Sequence, residues 1–280
     1  MLKSGIIGTG EWSDKVAKSL ATSFEVSVYS ARAVISAQAS LGFSVDLLWL
    51  ATRNKEQLQI TEKILNAGYQ GKIILEKPYF TSIREREHLL SLIQLNPHQI
   101  YLSQVWKFSA LWRDFSNCLI KSSESFDISV VRCGNKLRSD FAPPFDWIPH
   151  DLYLLLDLAE RLNSVIGGIS VSQSLNGNLL EVAARIGLQN RINVISGYSK
   201  ARVNTWNVRI RNGDNLEINF LENCVLLNGE QLLVESSSSG SNDIPILNFA
   251  NWVLSRDQDL HQEKLIKLNS DVLLGLKLED

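Results

Sequence analysis

Leu2-Lys3-Ser4-Gly5-Ile6-Ile7-Gly8-Thr9-Gly10-Glu11-Trp12-Ser13 reads as a strand, a glycine turn and the start of a helix. That order is the context a dinucleotide-binding turn requires. Gly8 permits the tight turn, and Gly10 lets a pyrophosphate approach the backbone. The helix start supplies free N–H groups and a partial positive charge. Ser13 stands at the third glycine position and is small enough for close packing. Thr9, Glu11 and Trp12 complete the loop that would face the phosphates.

Outward from this turn, strand-like and helix-like segments alternate through the first hundred residues. Residues 2–7, 24–29, 45–51, 73–75 and 100–105 read as strands. Residues 11–23, 55–67 and 82–95 read as helices, the second ending at Gly68 and the third at Asn96-Pro97. Alternation of this kind predicts a parallel, doubly wound sheet. The pattern then changes. Residues 109–121 and 147–162 read as helices, and 126–133 as a strand. Residues 166–234 alternate apolar and polar positions between Asn-Gly turns at 176–177, 212–213 and 228–229, the pattern of a large antiparallel sheet. Val182, Val194, Val203 and Val208 are its apolar positions of undecided face. A serine-rich link at 236–241 precedes two closing helices at 248–255 and 263–278. The expected organisation is a dinucleotide-binding α/β domain over 1–105. An α+β domain with a large open, mostly antiparallel sheet follows over 106–280.

Bulk properties narrow the function. The 280 residues are 45% hydrophobic and 21% charged, with a formal net charge of −2. That balance offers nothing to nucleic acid or an anionic membrane. No apolar run approaches the roughly 20 residues that span a bilayer, and no basic-then-apolar leader precedes Gly8. The three cysteines, far apart, fit a reduced cytoplasm better than a disulfide framework. Neither they nor the four scattered histidines show metal-ligand spacing, so no metal is expected.

The chemistry is read from two further stretches. Glu76-Lys77-Pro78 follows a short apolar strand whose carboxyl end lies where open α/β sheets bind ligands. Pro78 stops the strand and holds Lys77 extended at its tip. Asp146-Trp147-Ile148-Pro149-His150-Asp151 places a carboxylate and an imidazole four residues apart, on one face of a helix. Histidine titrates near neutrality and can exchange a substrate proton. After strand two, Ser30-Ala31-Arg32 holds no carboxylate; a hydroxyl and a guanidinium suit a 2′-phosphate, which favours NADP over NAD. Plainer readings stand beside these: a solvated turn for Lys77, a solvated helix start for Arg32, a satisfied ring under a helix cap for His150. Asp157 reads as a helix-surface or cap residue. Trp106, Lys107 and Trp112 follow the last parallel strand, the tryptophans reading as core. Asp151, Arg138 and Asp140 are further candidates to face substrate.

Gly8-Thr9-Gly10, Leu50-Ala51-Thr52, Glu76-Lys77-Pro78 and the Asp146 to His150 stretch, in that order, resemble the Gfo/Idh/MocA oxidoreductases, named for glucose–fructose oxidoreductase and inositol dehydrogenase. The resemblance implies a Rossmann domain, an open antiparallel sheet that often builds homodimers or homotetramers, and nicotinamide-dependent hydride transfer. It implies catalytic positions at Lys77, Asp146 and His150. Cofactor contacts are implied at Ala51, Thr52, Arg53, Glu76, Lys77 and Pro78. Substrate contacts are implied near Trp106, Lys107, Asp146, His150 and Asp151. The chain departs from the family pattern at Arg53, Gln57 and Ile148, and the segment between Arg32 and Val45 is shortened. The leading expectation is oxidation or reduction of a secondary alcohol or ketone in a sugar-like or polar metabolite. An imine or conjugated double-bond reductase, or a catalytically silent cofactor-binding scaffold, are the alternatives.

Overall fold

The computed structural model describes residues 1–36, 43–122, 124–135, 142–174, 178–232, 245–259 and 261–273. Two compact units emerge. One gathers residues 1–105 with 244–266; the other gathers 106–243 with 267–278. The second unit is therefore not everything after residue 105: a C-terminal helix returns to the first.

In the first unit, strands β1 (Leu2–Ile7), β2 (Phe24–Tyr29), β3 (Leu47–Leu50), β4 (Lys72–Leu75) and β5 (Ile100–Leu102) form a parallel sheet in the order β2-β1-β3-β4-β5. β3 is apolar at every position and wholly buried, as a strand covered on both faces must be. The helices are α1 (Glu11–Leu20), α2 (Ala31–Ser36), α3 (Asn54–Asn66) and α4 (Ile83–Leu95). Right-handed crossovers put α1 on one face and the other three on the opposite face. Ser82 caps α4 by accepting from the Glu85 N–H, while the Glu85 carboxylate takes the Thr81 N–H. The strand order reverses direction between β1 and β3. Ligand crevices form beyond the carboxyl ends of strands at such a point. The last parallel strand is shorter than expected: β5 ends at Leu102, and Val105–Phe108 winds into one 3₁₀ turn.

In the second unit, α5 (Ala110–Lys121) leads to β6 (Phe126–Gly134), and α6 (Pro143–Arg161) to β7 (Ile166–Gln173). The sheet continues through β8 (Leu179–Ile186), β9 (Asn190–Tyr198), β10 (Val203–Ile210), β11 (Asn215–Asn219), β12 (Cys224–Leu227) and β13 (Glu230–Gln231). Its order is β13-β12-β11-β10-β6-β9-β8-β7, with β6 and β9 parallel and the other pairs antiparallel. Asn228 and Gly229 turn the β12–β13 hairpin with φ of 54° and 85°, the left-handed pair such a two-residue turn needs. Val182, Val194 and Val208 share the buried face under α6 with Ile128, Val130 and Trp206. Val203 falls on the opposite face, which carries Ser129, Glu181, Asn193 and Asn207. Two late helices complete the described chain. α7 (Pro245–Leu254) packs on α1 and starts three residues before the expected 248, and α8 spans Gln262–Leu273. The 236–241 link and the Asn176-Gly177 turn lie outside the described residues.

α6 begins at Pro143, four residues before the expected start. Two prolines in succession read as loop. At the first and second helical positions, however, an N–H has no intrahelical partner to lose. The consequence is that Asp146 and His150 both lie inside the helix, with Pro149 interior to it.

Candidate active site

The first unit supplies a phosphate-type cradle. The Gly8 N–H donates to the Tyr29 carbonyl at 2.9 Å, and the Ala51 N–H to the Ile7 carbonyl at 2.9 Å. These bonds bring the ends of β1, β2 and β3 together. Gly8 has a φ of +141°, and a Cβ there would run into the Ala51 carbonyl oxygen, so only glycine fits. Gly10 is the opposite case. Its backbone is extended, and a Cβ there would meet nothing within 4 Å. The cradle is open at that position. No side chain caps α1, so the first-turn N–H groups of Glu11, Trp12 and Ser13 face outward from the helix. The Ser13 hydroxyl donates to the Gly8 carbonyl at 2.7 Å and closes the loop from beneath. The Trp12 indole N–H is shielded from water and has no partner. Open space over Gly10 and unsatisfied helix N–H groups are what a dinucleotide pyrophosphate would fill.

Ser30 and Arg32 follow β2. The Ser30 oxygen accepts the Ala33 N–H at 3.1 Å and starts α2, leaving the hydroxyl proton free to donate. Arg32 is exposed on the second residue of that helix. Thr52 and Arg53 lead into α3, with the Arg53 side chain exposed. Gln57, one turn further on, is 3 % exposed, and neither end of its amide has a partner.

The Glu76 carboxylate is buried and accepts the Trp49 indole N–H at 2.9 Å, which anchors β4 to β3. Tyr79, buried nearby, donates its hydroxyl to the Ser103 carbonyl at 2.6 Å. From Glu76 to Phe80 every residue is buried except Lys77, which is half-exposed and joined to Pro78 by a cis peptide. The neighbours fix the backbone, and Lys77 is the one side chain of the five that reaches solvent.

The second unit supplies the histidine. His150 is half-buried, and its Nδ1 lies 3.3 Å from the Tyr153 hydroxyl. That hydroxyl accepts the Trp106 backbone N–H at 3.1 Å. The Trp147 indole covers Gly134 so closely that a Cβ there would collide with it. Its ring centroid is 6.4 Å from that of His150. Asp146 is buried, with 6 % of its surface exposed. Trp106 is half-buried and meets Phe220 edge-on at 5.5 Å.

Two sequence-based expectations change here. Asp151 was expected to face substrate, yet it is 0 % exposed. Its Oδ1 accepts from Arg132 Nε at 2.7 Å and from Trp206 Nε1 at 3.0 Å. Burial pushes its carboxyl up from the ordinary range, against the pull of the Arg132 guanidinium. Asp157 was expected at the helix surface. Instead it is buried and gathers Trp112 Nε1 at 2.7 Å, Arg161 Nε at 2.8 Å and Lys107 Nζ at 3.2 Å. Lys107 thereby pairs with a buried carboxylate. Trp112 is core, with no exposed surface. Arg138 and Asp140 lie outside the described residues. Tyr153 and Gln57 were not among the expected site residues. Tyr153 carried a legible signal, since it stands three residues after His150 on one helix face.

Among the described residues no group of three histidine, cysteine, aspartate or glutamate side chains forms a metal cluster. No described helix is long and apolar enough to cross a membrane. Residues 3–102 match the profile of an oxidoreductase family with an NAD-binding Rossmann fold, Gfo/Idh/MocA. Over this stretch the chain is similar to the Gfo/Idh/MocA oxidoreductases. No curated protein matches the sequence. Solved structures share the whole fold at low identity. UDP-N-acetylglucosamine 3-dehydrogenase from Acidithiobacillus ferrooxidans is 14% identical with a TM-score of 0.71, covering 99% of this chain and 98% of that one. Biliverdin reductase from Synechocystis sp. PCC 6803, in complex with biliverdin and NADP+, is 13% identical with a TM-score of 0.67 and 97% of each chain covered. scyllo-Inositol dehydrogenase from Lactobacillus casei, with NAD(H) and scyllo-inositol bound, is 14% identical with a TM-score of 0.67, covering 99% and 96%.

Proposed function

We propose that this chain is an NADP-preferring oxidoreductase acting on a secondary alcohol or ketone of a sugar-like or polar metabolite. The observation that carries the reading is the carboxyl edge of the first sheet. There an open glycine cradle at Gly8 to Ser13 and the half-exposed Lys77 are held by backbone bonds and buried neighbours. The absence of a carboxylate after β2, with the Ser30 hydroxyl and the exposed Arg32 in its place, supports NADP over NAD.

When bound, the nicotinamide supplies the acceptor or donor of the hydride. Gly8, Thr9, Gly10 and the first-turn N–H groups of Glu11, Trp12 and Ser13 hold its pyrophosphate. Ala51, Thr52, Arg53 and Pro78 border the cofactor as backbone. Lys77 hydrogen-bonds the reacting oxygen and favours its alkoxide-like form. His150 takes the hydroxyl proton in oxidation and returns it in reduction. Asp146, one helical turn before it, stabilises the imidazolium. Trp106 borders the substrate. The exposed polar face of the second sheet serves as the contact for a homodimer or homotetramer, and the protein works in the cytoplasm.

Biliverdin reductase among the similar folds keeps a second reading in view, a reductase of a conjugated double bond or imine, with His150 or Lys77 as proton donor only. NADPH and NADH titration by fluorescence decides first. Binding of neither removes both enzyme readings, and tighter NADH binding refutes the roles of Ser30 and Arg32. A screen of alcohols, ketones and unsaturated substrates with wild type and Lys77→Ala follows. Turnover unchanged in the variant takes Lys77 out of the mechanism. Sedimentation showing only a 31.4 kDa species refutes the oligomer.

A further inference from the structure

We infer that Tyr153 is the positioning residue for His150. Its hydroxyl, held by the Trp106 backbone N–H, fixes the Nδ1 edge of the ring and leaves the Nε2 edge to exchange the substrate proton. The inference rests on the reading that His150 carries that proton.

The contacts form a short chain within the second unit. Trp106 N–H reaches the Tyr153 oxygen at 3.1 Å, and that oxygen lies 3.3 Å from His150 Nδ1. The two rings meet edge to face, with centroids 5.9 Å apart and planes at 82°. Tyr153 is 1 % exposed, so its hydroxyl is shielded from water, whereas His150 is half-buried. The three-residue spacing on one helix makes the pairing a property of α6 itself.

A hydroxyl suits this place because its oxygen can accept from Nδ1–H. It does so in the neutral Nδ1–H tautomer, whose Nε2 lone pair takes the substrate proton, and again in the imidazolium. The ring is therefore held through both halves of a proton exchange. A carboxylate at the same place would only accept, and would favour the charged ring. Tyr153 thus supplies orientation without a charge, and the charge that favours imidazolium comes from elsewhere.

The test uses the full chain labelled with ¹⁵N-histidine, without cofactor or substrate. His150→Gln assigns the His150 signals, which are then compared between wild type and Tyr153→Phe. Phenylalanine keeps the ring contact and removes the hydroxyl. Wild type is expected to show one dominant neutral tautomer, and Tyr153→Phe a mixture with averaged nitrogen shifts. In turnover, the variant is expected to lose on the order of 10–100-fold in kcat, the scale of a misplaced catalytic group, while KM and NADPH affinity stay near wild type. His150 nitrogen signals identical in the two proteins overturn the inference. If Tyr153→Phe does not fold, site-specific 3,5-difluorotyrosine at position 153 keeps ring and hydroxyl but strengthens the donor and weakens the acceptor. A shifted His150 Nδ1 signal is then expected, and an unmoved one overturns the inference. Failure to bind either nicotinamide would remove the catalytic reading, while the ring signals would still decide the Tyr153 contact.

Discussion

Removing one member of the Arg132–Asp151 pair is expected to cost far more than removing both. The two side chains are 1% and 0% exposed, and Nε to Oδ1 is 2.7 Å. Trp206 gives the same oxygen a second bond at 3.0 Å. Both Arg132 Nη atoms and Asp151 Oδ2 lack hydrogen-bond partners, and the guanidinium also lies over the Phe220 ring, its Cζ 5.1 Å from the centroid. Arg132→Met leaves a buried carboxylate unpaired, which costs about 3–5 kcal/mol. At roughly 2–4 °C of melting temperature per kcal/mol for a protein of this size class, the loss is about 6–20 °C. Replacing both, with Arg132→Met and Asp151→Leu together, removes both desolvation penalties and is expected to recover most of that loss. Thermal melts followed by circular dichroism read all three variants.

The pH dependence has a definite sign. Burial raises the Asp151 carboxyl above its unfolded value, opposed by Arg132. A group raised in the folded state contributes stability that is fully present below its unfolded value and lost as pH rises through its folded value. Without the downward pull of Arg132 the displacement grows. The deficit of Arg132→Met is thus greatest at neutral pH and shrinks as pH falls toward the carboxylate range. A loss below about 1 kcal/mol, the scale of an exposed pair, would refute the reasoning. So would a double variant that sums the two single losses, or a deficit that does not change with pH.

Two glycines in one loop are expected to respond in opposite ways. Gly8→Ala puts a side chain at a φ of +141° against the Ala51 carbonyl, and should lower stability by about 1–3 kcal/mol in a urea titration. Gly10→Val fills only open space, so its unfolding curve should match wild type while NADPH fluorescence titration no longer saturates. Retained NADPH binding in Gly10→Val would show that the phosphates lie elsewhere. Trp49→Phe deprives the buried Glu76 carboxylate of its indole donor and should cost about 1–3 kcal/mol by the same urea assay. An unchanged midpoint would mean that Glu76 finds another partner.

Local patterns carry far in this protein. The Gly8 to Ser13 turn, the alternation through residue 102 and the Asn-Gly turns at 212–213 and 228–229 each follow from backbone rules acting over a few residues, and all reappear in the described residues. Helix starts were less legible. Pro143 and Pro144 belong to α6, because a helix tolerates proline at the two positions where an N–H has no partner. Roles that depend on which acid meets which base could not be read along the chain. Asp151 is paired with a residue 19 positions away and Asp157 with one 45 away, because the sheet and α6 bring them together. Glu76 meets Trp49 across neighbouring strands for the same reason.

The sequence by itself determined the class of fold, the glycine cradle and the lysine at a strand tip, since turns, strands and helix ends are set by neighbours a few residues apart. Only the tertiary structure decided which polar groups remain available for chemistry. Burying a charge or a hydroxyl demands a partner, and packing is what assigned Asp151, Asp157, Glu76 and Lys107 to partners, left Lys77 half-exposed, and set the Tyr153 hydroxyl against His150.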